Sequence, residues 1–283
     1  ILYLVSIITC VLCNIIVRKV RKQPVLPDYA SVVTALLLVM TLPPSTTITM
    51  VVIGGVVAII FAKEVFGGLG SNIFNPALVG RAFLQVAFPA QMSTYTPPIR
   101  VPFLDLFITD WHRTMNAITG GTQSVDMMTA LSQATPLTFM KFTYNNNIST
   151  SLIEQIQFEV HYYIQMLLGS TGGAIGETSV ILLTIGGIFL IVTKTIDWRI
   201  PLGMFISLFT VSLILCLAMP GQFASPIYQV FAGGFILGAF FMATDMVTCP
   251  SSHLGAWIYA LLIGAVLAIL RAFGSSPEYT MYS

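Results

Sequence analysis

The chain has 283 residues, of which 56% are hydrophobic and only 8% are charged. Soluble domains carry about 25% charged residues, so this composition excludes an ordinary soluble domain and predicts a polytopic membrane protein. The net charge of +1 excludes the basic footprint of a nucleic-acid-binding protein, and the few basic residues cluster at the ends of apolar runs, as topology signals do.

The first half of the chain predicts membrane segments of unequal length. Residues 1–17 form the end of a span, and the basic residues at 18, 19, 21 and 22 place the following loop in the cytoplasm. Residues 31–42 are shorter than the about 20 apolar residues needed to cross, and a Pro-Pro pair ends them, so we predict a half-helix. Residues 48–62 return to the cytoplasmic side at Lys63. After a glycine-rich break, residues 74–92 carry the chain outward.

The long polar stretch at 93–161 then lies outside, and its length allows a functional loop. It contains the sequence SQATPL at 132–137, which by itself is ordinary turn chemistry. A second glycine-rich break, at 169–176, precedes an apolar segment at 180–192. That segment ends at a charged loop, which we place in the cytoplasm. Spans at 201–218, 228–242 and 256–270 complete the chain.

The two halves suggest an internal repeat. We expect residues 1–92 and 162–283 to form two membrane repeats, each incomplete at its outer end, because the chain begins inside an apolar run and ends near the start of another. Residues 31–38 start from the cytoplasmic side and residues 178–185 from the outer side, which is typical of an inverted repeat. Chance similarity between apolar segments is the alternative. Broken backbone at membrane depth must line a cavity or be covered by protein, so the breaks at 63–77 and 234–245 predict a central site.

Polar residues in or near these breaks are the candidates for function. Glu177 and Asp245 adjoin apolar segments where an ionised carboxylate is costly, so each should face a cavity, a partner or a bound group. The alternatives are structural, with Glu177 in the first turn of its helix and Asp245 as an N-cap or loop anchor. Asn72 and Asn75 either contact a ligand or ion, or satisfy the carbonyls of the broken segment.

We find no pattern for a catalytic residue or a metal site. The sequence holds no Ser-His-Asp order, no His-rich ligand spacing, no phosphate-cradling Gly-Lys loop and no dinucleotide fingerprint. The four cysteines, at positions 10, 13, 216 and 249, lie in apolar or span-edge contexts, where free Cys behaves as a small hydrophobe. We therefore expect no disulfide and no bound metal.

Four motifs in chain order carry a family resemblance: KEVFGGLGSNIFNPA at 63–77, ATPL at 134–137, GGAIGETS at 172–179 and FMATD at 241–245. Together they closely resemble the family of the D subunit of the Rnf electron-transport complex and the B subunit of the sodium-pumping NADH:quinone oxidoreductase. The likeness covers nearly the whole chain. It implies an all-α polytopic membrane protein, an inverted-repeat helical bundle with broken half-helices, similar to urea transporters.

The resemblance also implies a flavin mononucleotide (FMN) joined through its phosphate to a threonine of the outer loop, here Thr135. Its neighbours Ser132, Ala134 and Pro136 belong to the attachment segment, and Pro136 keeps the threonine out of helix. Three residues in or just after the second glycine-rich break are further candidates for contact with the flavin: Gly173, Glu177 and Thr178. The flavin supplies the redox chemistry, while the protein orients it. A second, noncovalent flavin (riboflavin) is left open.

Within the family, the compact length and the sequence LGSTGGAIGE at 168–177 look more like the Rnf D subunit. That likeness implies a multi-pass subunit of the cytoplasmic (inner) membrane that relays electrons between ferredoxin and NAD couples and is not catalytic alone. It would assemble with other Rnf-type membrane subunits and with iron-sulfur and flavin subunits, in contact with lipid and moving Na⁺ or H⁺. Asn72, Asn75 and Asp245 are its ion-path candidates. The quinone-reductase B subunit is the first alternative, and a urea-transporter-like channel without a redox role is the second.

Overall fold

The computed structural model describes residues 1–22, 29–93, 95, 163, 166–167, 169, 173–177, 179–218, 223 and 225–274. Every regular element among these residues is helical. In the first half the elements are α1 (Leu2–Val20), α2 (Tyr29–Met40), α3 (Ile48–Val56), a π-helical continuation π1 (Val57–Glu64), α4 (Pro76–Ala87) and α5 (Pro89–Met92). In the second half they are α6 (Val180–Val192), α7 (Arg199–Ala218), α8 (Pro226–Phe231), α9 (Phe235–Leu237), its π-helical continuation π2 (Gly238–Met242) and α10 (His253–Phe273).

Three of the described helices, α1, α7 and α10, are long and apolar enough to cross a membrane. The side chains that α1 buries are polar or small, Ser6, Cys10 and Asn14, and most of its large apolar side chains are exposed. Ser6 Oγ donates to the Ala35 carbonyl at 3.0 Å, and Asn14 Nδ2 donates to Ser31 Oγ at 2.6 Å. A helix with a polar buried stripe and an apolar exposed face is suited to lipid rather than to water.

The helix pair α7 and α10 packs through small residues. A Cβ added at Gly203 would lie 2.7 Å from the Ala260 Cβ, and one added at Gly264 would lie 2.8 Å from the Met204 carbonyl oxygen. Ser207 Oγ also donates to the Leu261 carbonyl at 2.6 Å. Such close approach through small residues is typical of helix pairs in membranes, where contact and hydrogen bonding replace the hydrophobic effect.

The two halves share a three-helix order. Helices α2, α3 and α4 begin at residues 29, 48 and 76, and α6, α7 and α8 begin at 180, 199 and 226, so the corresponding starts lie 151, 151 and 150 residues apart. Both α4 and α8 begin with a capping residue followed by proline, Asn75-Pro76 and Ser225-Pro226. Proline at the first helical position needs no hydrogen bond there. The offset of 150–151 residues pairs α2 with α6. The sequence analysis pairs the same two segments, at residues 31–38 and 178–185.

Two segments differ in detail from the sequence predictions. The break predicted from residue 234 is confirmed, and it divides the span predicted at 228–242, because α8 ends at Phe231 and Gly233 and Gly234 adopt left-handed φ values of 63° and 58° before α9 begins. The predicted 74–92 segment is divided at Phe88 (φ −134°, ψ 58°), and α5 restarts at Pro89. The predicted half-helix at 31–42 is confirmed as the 12-residue α2.

The largest core cluster lies in the second half and includes Tyr228, Phe235 and Leu208. Leu37 and Met40 of α2 pack against it, so the end of the short first-half helix is held by the second half. The predicted domain boundaries at 92/93 and 161/162 fall at the edges of the described residues and stay predictions.

Candidate functional site

The two broken segments meet at Asn75. Its Nδ2 donates to the Met242 carbonyl at 3.3 Å, at the end of π2, while its Oδ1 accepts from the Ala77 N–H at 3.0 Å and caps α4. The approach of the two breaks that the sequence predicts is therefore present. Asn72 instead folds its own loop, since its Nδ2 donates to the Phe74 carbonyl at 3.1 Å. Both asparagines therefore donate to carbonyls of the broken segments, as the structural alternative predicts, and Asn75 also joins the two halves. Contact of either residue with a ligand or ion stays a prediction.

Asp245 follows π2 in the loop before α10. It is not the N-cap of that helix, because Ser252 Oγ accepts the Gly255 N–H at 3.1 Å and holds that role. The Asp245 carbonyl accepts from the Cys249 N–H at 3.0 Å, so the residue anchors the loop. Burial raises the pKa of its half-buried carboxyl, and hydrogen bonds from the Val247 backbone and the Thr248 hydroxyl oppose that rise.

Glu177 lies before α6 rather than in its first turn, so its predicted capping role is wrong. Ser179 is the cap, with its Oγ accepting the Leu182 N–H at 3.4 Å. The Glu177 side chain instead folds over Gly173, where an added Cβ would lie 3.2 Å from the Glu177 Cγ and 3.3 Å from its Oε1. Gly173 therefore gives the Glu177 side chain its room, and the structure brings these two candidate residues together.

The glycine-rich segment around Glu177 completes the C-terminal end of α2. The Gly176 N–H donates to the Met40 carbonyl at 2.8 Å, and the Ile175 N–H donates to the Leu42 carbonyl at 3.0 Å. The intervening Thr41 carbonyl accepts a hydrogen bond from the Arg81 guanidinium. Three consecutive carbonyls that a helix end leaves without intrahelical partners are thus satisfied by other parts of the chain.

A second arginine does the same for the broken α8. Arg271 donates to the Ala232 and Gly233 carbonyls at 2.9 and 2.8 Å and also to the Gln229 carbonyl. Arg81 and Arg271 are 2% and 4% exposed. A cation at the carbonyl end of a helix also complements the helix dipole.

Glu177 lies within electrostatic range of both arginines. Burial raises the pKa of its carboxyl, and the positive charges of Arg81 and Arg271 oppose that rise. Arg81 comes from α4 and Arg271 from α10, so this central charge cluster of Arg81, Glu177 and Arg271 links the two halves. Sequence reasoning missed both arginines. The available signal was an arginine inside an apolar run, which is itself a candidate for function.

Two further buried charged residues, Lys63 and Glu64, lie at the C-terminal end of π1. Lys63 Nζ donates to Ser31 Oγ at 2.9 Å, and Glu64 Oε2 lies 3.8 Å from the Arg21 Nη1. Both side chains are 2% exposed. Lys63 served only as a topology marker in the sequence, and Glu64 was not singled out. A π-helix frequently occurs at functional sites, so this end of the helix belongs with the candidate residues.

The predicted flavin-attachment segment lies outside the described residues, and so do these candidates: Ser132, Ala134, Thr135, Pro136 and Thr178. In the part of the chain that the structure describes, no group of three or more His, Cys, Asp or Glu side chains is placed to hold a metal ion. The chemistry that the described site offers is therefore buried charge beside hydrogen-bonded helix ends.

These features define a polytopic helical membrane protein whose centre is built from interrupted helices and buried charges. A family model described as "NQR2, RnfD, RnfE family" matches residues 1–283. The chain belongs to this family, which confirms the resemblance that its motifs carry.

Curated relatives agree with the family match. The chain is 39% identical to the D subunit of the proton-translocating ferredoxin:NAD(+) oxidoreductase complex of Clostridium ljungdahlii, over 98% of this chain and 76% of that protein. It is 35% identical to the D subunit of the ion-translocating oxidoreductase complex of Alcanivorax borkumensis (98% and 77%) and also 35% identical to that of Rhodobacter capsulatus (95% and 73%).

Proposed function

We propose that the chain is the membrane-embedded D subunit of an ion-translocating ferredoxin:NAD oxidoreductase complex. The observation that carries this proposal is the family match over the whole chain, joined by relatives that are named as D subunits and that the chain covers to about three quarters of their length. In this role the subunit relays electrons through FMN esterified to Thr135 and contributes to the movement of Na⁺ or H⁺.

The fold supports a transporter-like centre. Inverted-repeat membrane proteins place their sites where discontinuous helices from the two repeats meet. The equal offset between element starts, the shared cap-proline starts of α4 and α8, and the contact between Asn75 and Met242 all agree with such an arrangement. We propose that the two halves have opposite orientations in the membrane, as in urea transporters.

The described residues suit an anionic redox group. Two buried guanidinium groups against one carboxylate leave a positive excess in the central charge cluster, and Gly173 gives the Glu177 side chain the room to lie there. FMN supplies the one- and two-electron chemistry when it is bound. Arg81 and Arg271 hold the two helix ends in place, and Glu177 balances their charge. A scaffold held by such buried hydrogen bonds keeps positive charge fixed without reorganisation.

Topology and partners follow from the same proposal. The basic residues at 18–22 and the loop after α6 lie in the cytoplasm, and the segment 93–161 lies on the outer side of the cytoplasmic membrane. The other membrane subunits and the iron-sulfur and flavin subunits of the complex would contact this chain, and its remaining apolar surface would face lipid. The exposed apolar faces of α1 and α10 offer surface for such contacts.

The test of the redox role is flavin attachment. The protein is expressed in cells with an active flavin transferase, and the tryptic peptide 114–141 is examined by mass spectrometry and in-gel fluorescence. We expect that peptide to gain the mass of FMN less one water, with the fragment ions placing the addition on Thr135. Thr135→Ala should abolish the fluorescence, and Thr129→Ala, in the same peptide, should leave it unchanged.

An unmodified peptide would contradict the electron relay and leave the channel without a redox role as the better account. Attachment at Thr135 in a complex that reduces quinone rather than exchanging electrons with ferredoxin would instead favour the quinone-reductase B subunit.

A further inference from the structure

The end of π1 contains a buried carboxylate with one unused oxygen. Glu64 is 2% exposed, and no described residue hydrogen-bonds its Oε1. Its Oε2 faces the Arg21 Nη1 at 3.8 Å, which is too long for a direct hydrogen bond. A buried carboxylate that lacks hydrogen bonds pays a large desolvation cost, so it requires a bound cation, a proton or a water to stabilise it.

The loop after Glu64 folds over its carboxylate through glycines. Gly67, Gly68 and Gly70 have φ values of 118°, 94° and 91°, which glycine adopts without strain. The Gly67 and Gly68 N–H groups donate to the Glu64 and Lys63 carbonyls, both at 3.1 Å, and so fold the loop back over the helix end. A Cβ added at Gly68 would lie 3.7 Å from both Glu64 carboxylate oxygens. Gly68 therefore packs directly beside the carboxylate, where a larger side chain would contact both of its oxygens.

In the described part of the chain, neither of the neighbouring cations, Lys63 and Arg21, forms a hydrogen bond with the Glu64 carboxylate. Lys63, the adjacent residue, directs its Nζ to Ser31 between α1 and α2. Arg21 reaches Glu64 from the end of α1, and its side chain is 35% exposed. Arg21 thus offers a loose counter-charge at the basic end of the helices. A loose, partly solvated ion pair contributes little energy, so a competing cation displaces it at small cost.

We propose that Glu64 binds the transported monovalent cation, Na⁺ or a proton, at its Oε1 on the basic side of the protein. This inference rests on the proposed function, because it assigns the ion to a site within this subunit. Carboxylate oxygens suit hard cations, and intramembrane carboxylates commonly lie on ion pathways. With the cation bound the carboxylate is neutralised, and after the cation leaves Arg21 supplies the counter-charge.

The test uses dicyclohexylcarbodiimide, an apolar reagent that modifies protonated carboxyl groups in membrane proteins. The intact complex in detergent is labelled with and without Na⁺ at constant ionic strength, with choline as the substitute, and the adduct on Glu64 is measured by mass spectrometry. Glu64→Gln should remove the label. Asp197→Asn, which alters a carboxylate already bonded to the Arg199 guanidinium at 3.1 Å, should leave the Glu64 label unchanged.

Na⁺ at roughly ten times its dissociation constant should cut labelling of Glu64 about tenfold, since the free fraction falls by that factor. Labelling that ignores Na⁺ but increases as the pH falls would identify the proton as the ion.

No adduct on Glu64 at any pH, or an adduct insensitive to both Na⁺ and pH, would overturn the cation site. The outcome is separable from the electron relay, because FMN on Thr135 is measured in the same samples by fluorescence. If the protein lacks FMN but Na⁺ still protects Glu64 from labelling, the result supports the ion site and contradicts the electron relay. Thermal unfolding of Glu64→Gln checks that the variant is folded.

Discussion

Replacing Arg81 by methionine tests whether the buried arginines hold the ends of the broken helices. Methionine has a similar length and no donor, so it removes the hydrogen bond to the Thr41 carbonyl and one of the two positive charges near Glu177. A buried acceptor left unsatisfied costs about 1–3 kcal/mol. Glu177 also loses the nearby positive charge of Arg81, which adds to this cost.

The two costs overlap, because Glu177 keeps Arg271 and the neighbouring carbonyls of Met40 and Leu42 keep their backbone donors. We therefore expect the free energy of unfolding to fall by about 3 kcal/mol, which is roughly a hundredfold in the folding constant. Arg81→Lys keeps the charge but loses the planar guanidinium, so its loss should be smaller, about 1 kcal/mol.

The assay is equilibrium unfolding of the purified protein in mixed micelles, followed by circular dichroism, with the denaturant dependence checked to be unchanged. Lys19→Met is the matched control, since it removes an exposed cation near the end of α1. If Arg81→Met loses no more stability than this control, the end of α2 does not depend on the guanidinium and the reasoning fails.

Two other predictions concern the broken segments. Asn75→Ala should lower the free energy of unfolding by about 2 kcal/mol through loss of the α4 cap and the bond to Met242, whereas Asn75→Asp keeps the cap acceptor and should lose about half as much; a stability of Asn75→Asp equal to that of the parent in mixed-micelle unfolding would refute the bond between the halves. Burial raises the pKa of Asp245, so the folded state favours its protonated form. The protonated carboxyl therefore contributes stability to the fold at acid pH, and that contribution is lost as the pH rises through the folded-state pKa. Asp245→Asn should therefore be more stable than the parent at pH near 7, with a gap that closes below the unfolded-state pKa of about 3.9, while coupled ion transport in membranes falls. A constant gap across pH would contradict the titration argument, and intact coupled transport would leave Asp245 as a loop anchor alone.

Local features of this fold were predicted well from the sequence. Pro43-Pro44 and the short apolar run before it predict the half-helix, and the structure ends α2 at Met40. The glycines of residues 234–245 predict the break inside 228–242, but the end of α8 at Phe231 was missed, because Gly233 and Gly234 lie in an apolar run where hydropathy gives no warning of left-handed backbone. Glycine pairs at such positions are an available signal for a break.

The candidate site was less predictable, because its contacts join residues far apart in the chain. Arg81 lies 40 residues from its acceptor Thr41, and no local pattern links an arginine to a distant helix end. In the sequence, Glu177 and Ser179 lie two residues apart and compete for the capping role at the start of α6. Only the observed hydrogen bond from the Leu182 N–H to Ser179 Oγ decides between them. Asn75 was identified as a polar residue in a break, but its partner Met242 was not.

The completion of α2 by the Gly176 and Ile175 N–H groups also constrains how the protein is made. Leu42 and Ile175 are 133 residues apart, so at about 5–20 residues per second the ribosome needs roughly 7–27 s to supply the second partner after the first. Throughout that interval the nascent first half has a helix end whose carbonyls lack their final donors, and lipid cannot supply them. Until residues 175 and 176 are synthesised and donate to these carbonyls, water or the insertion machinery must therefore cover this end of α2 in the first half.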